Sequence, residues 1–115
     1  MKHVWILLFV GISTFLVNCN NAQTLSETGT LSADVFSNKL KETSQAIILD
    51  VRTPEEFNGG FIAGARNLDY NNPAFKTEID ALDKNKPYFV YCLSGARSRS
   101  AANYMRSTGF VQVYD

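Results

Sequence analysis

The stretch YCLSGARSRSAA at 91–102 contains Cys92, the only cysteine of this 115-residue chain outside its N-terminal segment. Cys92 follows an apolar run directly, and the loop from Cys92 to Arg97 leads into a predicted helix. The free N–H groups at a helix N-terminus carry about half a positive charge and bind anions. Gly95 permits the tightest turn of this loop, and Arg97 adds a permanent positive charge. Because positive surroundings lower the pKa of a thiol, the pattern predicts a nucleophilic thiolate in a pocket for small anions.

A purely structural interpretation of the same stretch stays open at this point. Cys92 could end a strand while Gly95 makes a turn and Arg97 is a solvated charge on the helix. Ser94 could donate a hydrogen bond to a bound anion or act only as a turn residue. Arg99 and Arg106 are expected to be solvated.

The elements that must position this loop alternate between strands and helices. Apolar or alternating patterns predict strands at 46–51, 67–70, 87–91 and 110–114. Helical patterns cover 31–43 and 73–82, a short helical turn begins at Pro54, and a last helix begins at Arg97 or Ser98. The alternation predicts an α/β fold with a central, mainly parallel sheet flanked by helices. Ligands of such sheets bind beyond the carboxyl ends of the strands, where Cys92 lies.

The first predicted helix has an amphipathic pattern. Ser32 is placed to cap its N-terminus. Val35, Phe36 and Leu40 are spaced to line its inner face.

The first nineteen residues, MKHVWILLFVGISTFLVNC, have the features of an export signal. A basic start precedes an apolar stretch at 4–17, which is short for a transmembrane span. Leu16-Val17-Asn18-Cys19 resembles a bacterial lipobox, in which the cysteine is lipidated and becomes the new N-terminus. Cleavage near Ala22 and a buried N-terminal helix are the alternatives. We expect residues 1–19 to be a signal peptide with Cys19 as lipid anchor, and residues 20–30 to be a flexible tether.

Composition and the expected compartment bear on which classes of function are compatible with this chain. Eleven basic and eleven acidic residues give no net charge and no block of like charge, which argues against nucleic-acid binding. The expected location is exported, as a periplasmic or membrane-anchored bacterial lipoprotein that meets the membrane only through its lipid. A lone Cys92 in an oxidising compartment is expected to have a chemical role. A disulfide between Cys19 and Cys92 is the alternative.

Three ordered motifs resemble the rhodanese-domain sulfurtransferase family. Cys92, four intervening residues, Arg97 and Ser98 are similar to its active-site loop. LDVRTPEEFNGGFIAGARNLDY at 49–70 resembles its Asp-Val-Arg strand end, its Pro-Glu-Glu-Phe turn and its Gly-x-Ile-x-Gly-Ala segment. GFVQVYD at 109–115 resembles the strand that follows the catalytic helix. The resemblance covers most of 31–115 and implies a small rhodanese-like domain.

The chemistry that this resemblance implies is the transfer of sulfane sulfur. Cys92 would be catalytic and would form a persulfide by taking sulfur from a small anionic donor such as thiosulfate, and a thiol or cyanide would then accept it. Asp50 and Arg52 would support the site by pairing with nearby loop groups or with acids such as Glu56. No metal or cofactor is implied. The loop residues expected to bind the donor are Leu93, Ser94, Gly95, Ala96, Arg97 and Ser98.

Two features depart from the family pattern. Phe61 stands where many members have histidine, so apolar packing is expected there instead of a hydrogen bond. The family continues past the final strand with a Gly-Gly turn and a last helix. We therefore expect a rhodanese-like domain over 31–115 that is incomplete at its C-terminus and lacks its last helix.

Other functions are compatible with a reactive Cys92. One is a non-catalytic persulfide carrier or redox module that delivers sulfur to a partner protein. Another is a Cys-dependent phosphatase or arsenate reductase, but the related phosphatase loop has five residues between cysteine and arginine. The shorter loop of this chain favours a smaller target, a single sulfur atom.

Overall fold

The sheet is the frame that positions every other element. The computed structural model describes residues 29–115, in which four strands form a sheet in the order β2-β1-β3-β4. All three strand pairs are parallel. The predicted α/β fold with a parallel central sheet and flanking helices is therefore confirmed. In chain order the elements are α1 (Ala33–Glu42), β1 (Ile47–Asp50), α2 (Pro54–Asn58), β2 (Arg66–Asn67), α3 (Phe75–Asp80), β3 (Pro87–Tyr91), α4 (Ala96–Ser107) and β4 (Gln112–Tyr114).

The two central strands end side by side at one edge of the sheet. The register pairs Asp50 at the end of β1 with Tyr91 at the end of β3. Arg52 and Cys92 follow these two residues closely along the chain. Because all strands run in the same direction, the segments that leave their carboxyl ends meet at this edge.

Opposite faces of the sheet contact different helices. Tyr88 and Val90 of β3 are buried with Ala101 and Met105 of α4 in one apolar cluster. Phe89, which lies between them in sequence, meets Phe36 of α1 edge to face, with ring centroids 5.3 Å apart. This alternation follows from the two-residue period of a strand. It explains why β3 is apolar at consecutive positions.

Helix α1 covers its face of the sheet only in part. Ser32 caps its N-terminus as predicted and accepts a hydrogen bond from Val35 N at 3.4 Å. Phe36 and Leu40 are half-buried. Val35 is 49% exposed, so its predicted place on the inner face is wrong. Successive residues of a helix are rotated by about 100°, so when Phe36 points toward the sheet its neighbour Val35 points away from it.

Gly29 and Thr30 belong to the folded domain. Gly29 forms a parallel bridge with Tyr114, and Thr30 Oγ1 donates to Asp115 Oδ2 at 3.0 Å. Leu31 N donates to Asp115 O at 2.6 Å. The predicted tether over 20–30 is therefore wrong at its last two residues.

The expected export signal lies outside the described residues. This applies to the signal peptide over 1–19, to Cys19 and to residues 20–28 of the expected tether. These assignments and the absence of a last helix stay predictions. Within 29–115, no helix combines the length and the apolar character needed to cross a membrane.

Several element boundaries differ from the predictions by a few residues. The predicted strand at 67–70 is limited to Arg66–Asn67, and the helix predicted at 73–82 covers only Phe75–Asp80. Helix α4 begins at Ala96, one residue before the predicted start. The last strand begins at Gln112 because Phe110 N and Val111 N donate to Met105 O and Lys84 O instead of to the sheet.

Candidate active site

The Cys92 sulfur lies inside the turn that joins β3 to α4. Gly95 is the N-cap residue of α4 and has φ 92°, in the left-handed region that glycine adopts without strain. This turn aims two main-chain N–H groups at Sγ, from Gly95 at 3.1 Å and from Ser98 at 3.4 Å. Cys92 is half-buried and is a free thiol among the described residues. The loop thus has the amide cradle expected from its sequence.

Ser98 supplies the side chain in contact with the sulfur. Its hydroxyl lies 3.4 Å from Sγ and accepts the thiol proton, while it donates to Gly95 O at 3.2 Å. Ser98 is only 3% exposed. Ser94, the serine singled out in the sequence, is exposed, and no hydrogen bond joins it to Sγ in the described part of the chain. When the thiol ionises, the Ser98 hydroxyl can turn its proton toward the sulfur.

The surroundings of Cys92 favour its ionised form. Burial by itself would raise the pKa of the thiol. Hydrogen bonds from the Ser98 hydroxyl and from the main-chain N–H groups of Ser98, Gly95 and Arg97 outweigh burial, so the pKa is lowered. A lower pKa increases the thiolate fraction near neutral pH, and the thiolate is the nucleophilic form.

Arg97 directs its guanidinium at Glu56. Its Nη1 lies 2.7 Å from Glu56 Oε1, and its Nη2 lies 3.0 Å from Oε2. This bidentate pair, helped by Thr53, lowers the pKa of Glu56 to about 2. Of the partners expected for Asp50 and Arg52, Glu56 is therefore not one, whereas a loop group, the carbonyl of Gly60, is. The main-chain N–H of Arg97, and not its guanidinium, is among the groups that lower the pKa of Cys92.

Asp50 and Arg52 form an ion pair beside the loop. Asp50 is fully buried, and its Oδ2 lies 2.6 Å from Arg52 Nη2. Burial would raise the pKa of Asp50, but hydrogen bonds from Arg52 and Tyr91 keep it lowered. Arg52 Nη2 also donates to Gly60 O at 2.6 Å. The pair therefore connects the end of β1 to the segment that begins at Gly60.

Tyr91 is part of the same network and was missed in the sequence analysis. Its hydroxyl accepts a hydrogen bond from Ile62 N at 3.0 Å and bonds to the Asp50 carboxylate. The Arg52 guanidinium lies over its ring, 5.6 Å from the centroid. An aromatic residue with a polar tip at the end of a strand was the available signal. Its partners lie far away in sequence.

Apolar side chains lie in the segments near the site, and two of them, Ile62 and Leu93, line the groove that contains Cys92. Phe61 stacks on Phe57 with ring centroids 4.1 Å apart and planes 9° apart, as the apolar packing expected at this position requires. Phe61 is 53% exposed, Ile62 39% and Leu93 79%. A donor or acceptor that approaches Cys92 therefore passes an apolar rim.

A groove of about 570 Å³ leads to Cys92 between the loop and α1. Phe36, Leu40 and Val90 contribute to its walls, and Asp115 lies at its margin. The Asp115 carboxylate is held by Arg106 Nη2 at 2.9 Å. Arg106 also donates to Val113 O, so its expected solvated state is wrong.

No three histidine, cysteine, aspartate or glutamate side chains within 29–115 are arranged to hold a metal ion. Arg99 is exposed, as expected.

Comparison with known proteins gives concordant matches. The sequence model of the rhodanese-like domain family matches residues 32–115. Thiosulfate sulfurtransferase GlpE of Stutzerimonas stutzeri (strain A1501) is 42% identical over 69 residues, which are 60% of this chain and 62% of that protein. Uncharacterized protein YqhL of Bacillus subtilis (strain 168) is 37% identical over 71 residues, which are 62% of this chain and 55% of that protein. The chain thus spans less than two thirds of the length of these two relatives.

A solved structure shows a similar fold. The crystal structure of a rhodanese-like domain protein from Staphylococcus aureus superimposes with a TM-score of 0.63 at 28% identity. The superposition covers 74% of this chain and 80% of that chain.

Proposed function

The chain belongs to the rhodanese-like domain family, and we propose that it is a sulfurtransferase that carries sulfane sulfur as a persulfide on Cys92. The observation that carries this proposal is the position of half-buried Cys92, whose Sγ lies 3.1 Å from the main-chain nitrogen of Gly95 and which lines the groove. A sulfur in this place is both ionisable and reachable from the groove. The thiosulfate sulfurtransferase among the relatives supports thiosulfate as one donor.

The first half-reaction loads one sulfur atom onto Cys92. The thiolate attacks the outer sulfur of thiosulfate and forms a new S–S bond. The original S–S bond of thiosulfate breaks, and sulfite leaves with its electron pair. One negative charge stays on the persulfide and two leave with sulfite, so atoms and charge balance.

The amide cradle serves both states of the sulfur. N–H groups from Gly95 and Ser98 point at the position where the negative charge lies before attack. Fixed donors of this kind stabilise a developing anion without reorganising during the reaction. The N-terminus of α4 adds its partial positive charge at the same place.

The second half-reaction empties the site. Cyanide or a thiolate attacks the outer sulfur of the persulfide, the persulfide S–S bond breaks, and the Cys92 thiolate is restored. With cyanide the product is thiocyanate. A nucleophile that is already ionised needs no general base, and residues 29–115 contain no histidine to provide one.

The loop geometry supports sulfur transfer over phosphate-ester chemistry. Four residues separate Cys92 from Arg97, so the turn is short. The guanidinium that would bind a tetrahedral phosphate is instead paired with Glu56. A persulfide carrier without turnover uses the same residues and differs only in the fate of the sulfur.

The decisive experiment measures the intact mass of the full chain before and after thiosulfate. The parent protein and Ser94→Ala, a control in the exposed part of the loop, should each gain one sulfur atom and release it to cyanide as thiocyanate. Cys92→Ser should gain none. Sulfur transfer by Cys92→Ser at the parent rate would refute the nucleophile assignment.

The same samples separate the alternative functions. A stable persulfide that cyanide does not discharge would identify a carrier. Faster hydrolysis of an artificial phosphate ester than sulfur transfer would identify a phosphatase.

We also propose that the protein is exported and anchored by a lipid on Cys19. The support is the apolar stretch at 4–17 and the lipobox-like sequence Leu16-Val17-Asn18-Cys19 at its end. Cell fractionation should find the parent protein with membranes and Cys19→Ser released from them. Equal amounts of both proteins in the cytosol would contradict the proposal.

A further inference from the structure

The ion pair between Arg97 and Glu56 limits what the loop can offer to a donor. Arg97 is the only charged side chain in the loop from Cys92 to Arg97. Both of its terminal nitrogens donate to Glu56, at 2.7 and 3.0 Å. An incoming anion therefore meets main-chain N–H groups, while the guanidinium already has a carboxylate partner.

A second carboxylate also acts on Arg97, and the ion pair beside the loop is neutral overall. The Asp69 carboxylate also acts on the Arg97 guanidinium and, like Glu56, favours its charged form. Asp50 and Arg52 neutralise each other in their own pair. Arg97 with Glu56, and Arg52 with Asp50, therefore each form a pair without net charge.

We propose that Glu56 is a specificity-determining residue that favours sulfur donors of low negative charge over the thiosulfate dianion. By binding the Arg97 guanidinium, Glu56 withholds the only positive side chain of the loop from the donor. This inference rests on the proposed function and concerns which donors that function uses. A thiosulfonate monoanion is a sulfane donor of the favoured class.

The physical reason is that Coulomb energy scales with the charge of the donor. A change of one charge at the mouth alters the binding energy of a dianion twice as much as that of a monoanion. On a logarithmic scale, the change in KM should therefore be twice as large for the dianion. A merely structural role of Glu56 would alter both KM values by the same factor.

Glu56→Gln removes the charge while keeping the local fold. Glu56 Oε1 accepts from Thr53 N at 3.2 Å, and Thr53 Oγ1 accepts from Glu56 N at 3.3 Å. Glutamine serves in this capping box as well as glutamate does. Glu55→Gln is the matched control, because Glu55 is an exposed acid in the same helical turn.

The experiment measures KM with cyanide as acceptor for thiosulfate and for methanethiosulfonate. Methanethiosulfonate gives its outer sulfur to Cys92 and leaves as methanesulfinate, so the persulfide is the same. In Glu56→Gln, KM for thiosulfate should fall about fourfold and KM for methanethiosulfonate about twofold. Glu55→Gln should change both by less than about 1.5-fold, since exposed charges are screened.

A second variant tests the inference from the opposite side. Arg97→Gln leaves the Glu56 carboxylate unpaired, so KM should rise for both donors, again twice as much for thiosulfate on a logarithmic scale. If Glu56→Gln fails to fold, as judged by its unfolding transition, this variant decides alone. Equal changes for the two donors, or a higher KM for thiosulfate in folded Glu56→Gln, would overturn the inference.

Failure of this inference differs from failure of the proposed function. If the parent protein gains no sulfur from either donor, the sulfurtransferase proposal fails. If it gains sulfur from both and the variants show no dependence on donor charge, only the role of Glu56 fails.

Discussion

Replacing Ser98 with alanine tests the contact between a buried hydroxyl and the reactive sulfur. The hydroxyl lies 3.4 Å from Sγ and is one of the groups that lower the pKa of Cys92. Its removal should raise that pKa, because the thiolate loses a donor while its burial is unchanged. The Gly95 carbonyl that Ser98 also contacts keeps its hydrogen bond from Arg99 N at 3.0 Å. The change therefore acts mainly on the sulfur.

The expected effect follows from the strength of one hydrogen bond. A net contribution of about 1 kcal/mol corresponds to a factor of about five in the ionisation constant. Alkylation of Cys92 by iodoacetamide, measured at a pH where the thiol is mostly protonated, should therefore slow about fivefold in Ser98→Ala. At high pH, where both proteins are fully ionised, the two rates should converge.

Ser94→Ala provides the control for this measurement. It removes the same hydroxyl from the same loop at an exposed position that does not contact Sγ. Its alkylation rate should stay within about 1.5-fold of the parent at every pH. A normal rate for Ser98→Ala, or an equal slowing in both variants, would refute the assignment of the hydroxyl.

Three further predictions concern the frame of the site. Gly95→Ala should destabilise the fold by about 1–2 kcal/mol in urea unfolding because its φ of 92° is left-handed, whereas Gly29→Ala, without such a φ, should cost less. Asp50→Asn should lower the free energy of unfolding by about 2 kcal/mol, because Arg52 loses its buried counter-charge. The same change at exposed Asp83 should alter the free energy of unfolding by less than about 0.5 kcal/mol. The pKa of Glu56 is lowered from 4.5 to about 2, so its contribution to stability is present above pH 4.5 and is lost as the pH falls toward 2. Acid unfolding of Glu56→Gln should be correspondingly less steep in that window, and a profile identical to the parent would contradict this.

The parts of the fold that depend on local pattern were predictable. The apolar runs that became β1 and β3 are unbroken, and a polar stretch at 83–86 lies between α3 and β3. The position of Cys92 at the carboxyl edge of the sheet followed from the alternation of strands and helices along the chain. The tight turn indicated by Gly95 is present, with the φ of this residue in the left-handed region.

The parts that depend on contacts between distant residues were not predictable. Arg97 and Glu56 are 41 residues apart, and any of several acids could have been the partner. The bond from Ile62 N to the Tyr91 hydroxyl spans 29 residues. The bridge between Gly29 and Tyr114 depends on where the chain meets the edge of β4. In each case the sequence identifies the chemical group but not the distant residue that it contacts in the fold.

The use of main-chain atoms to hold the sulfur bears on how such a site can diversify. A mutation cannot delete the N–H groups at Gly95 and Ser98 except by introducing proline or by bending the turn. Leu93, Ser94 and Ala96 are all exposed, the first two line the groove, and none of them forms a hydrogen bond with Sγ in the described structure. Evolution can therefore exchange these three side chains freely to suit new reactants, while the reactivity of the thiolate is inherited unchanged.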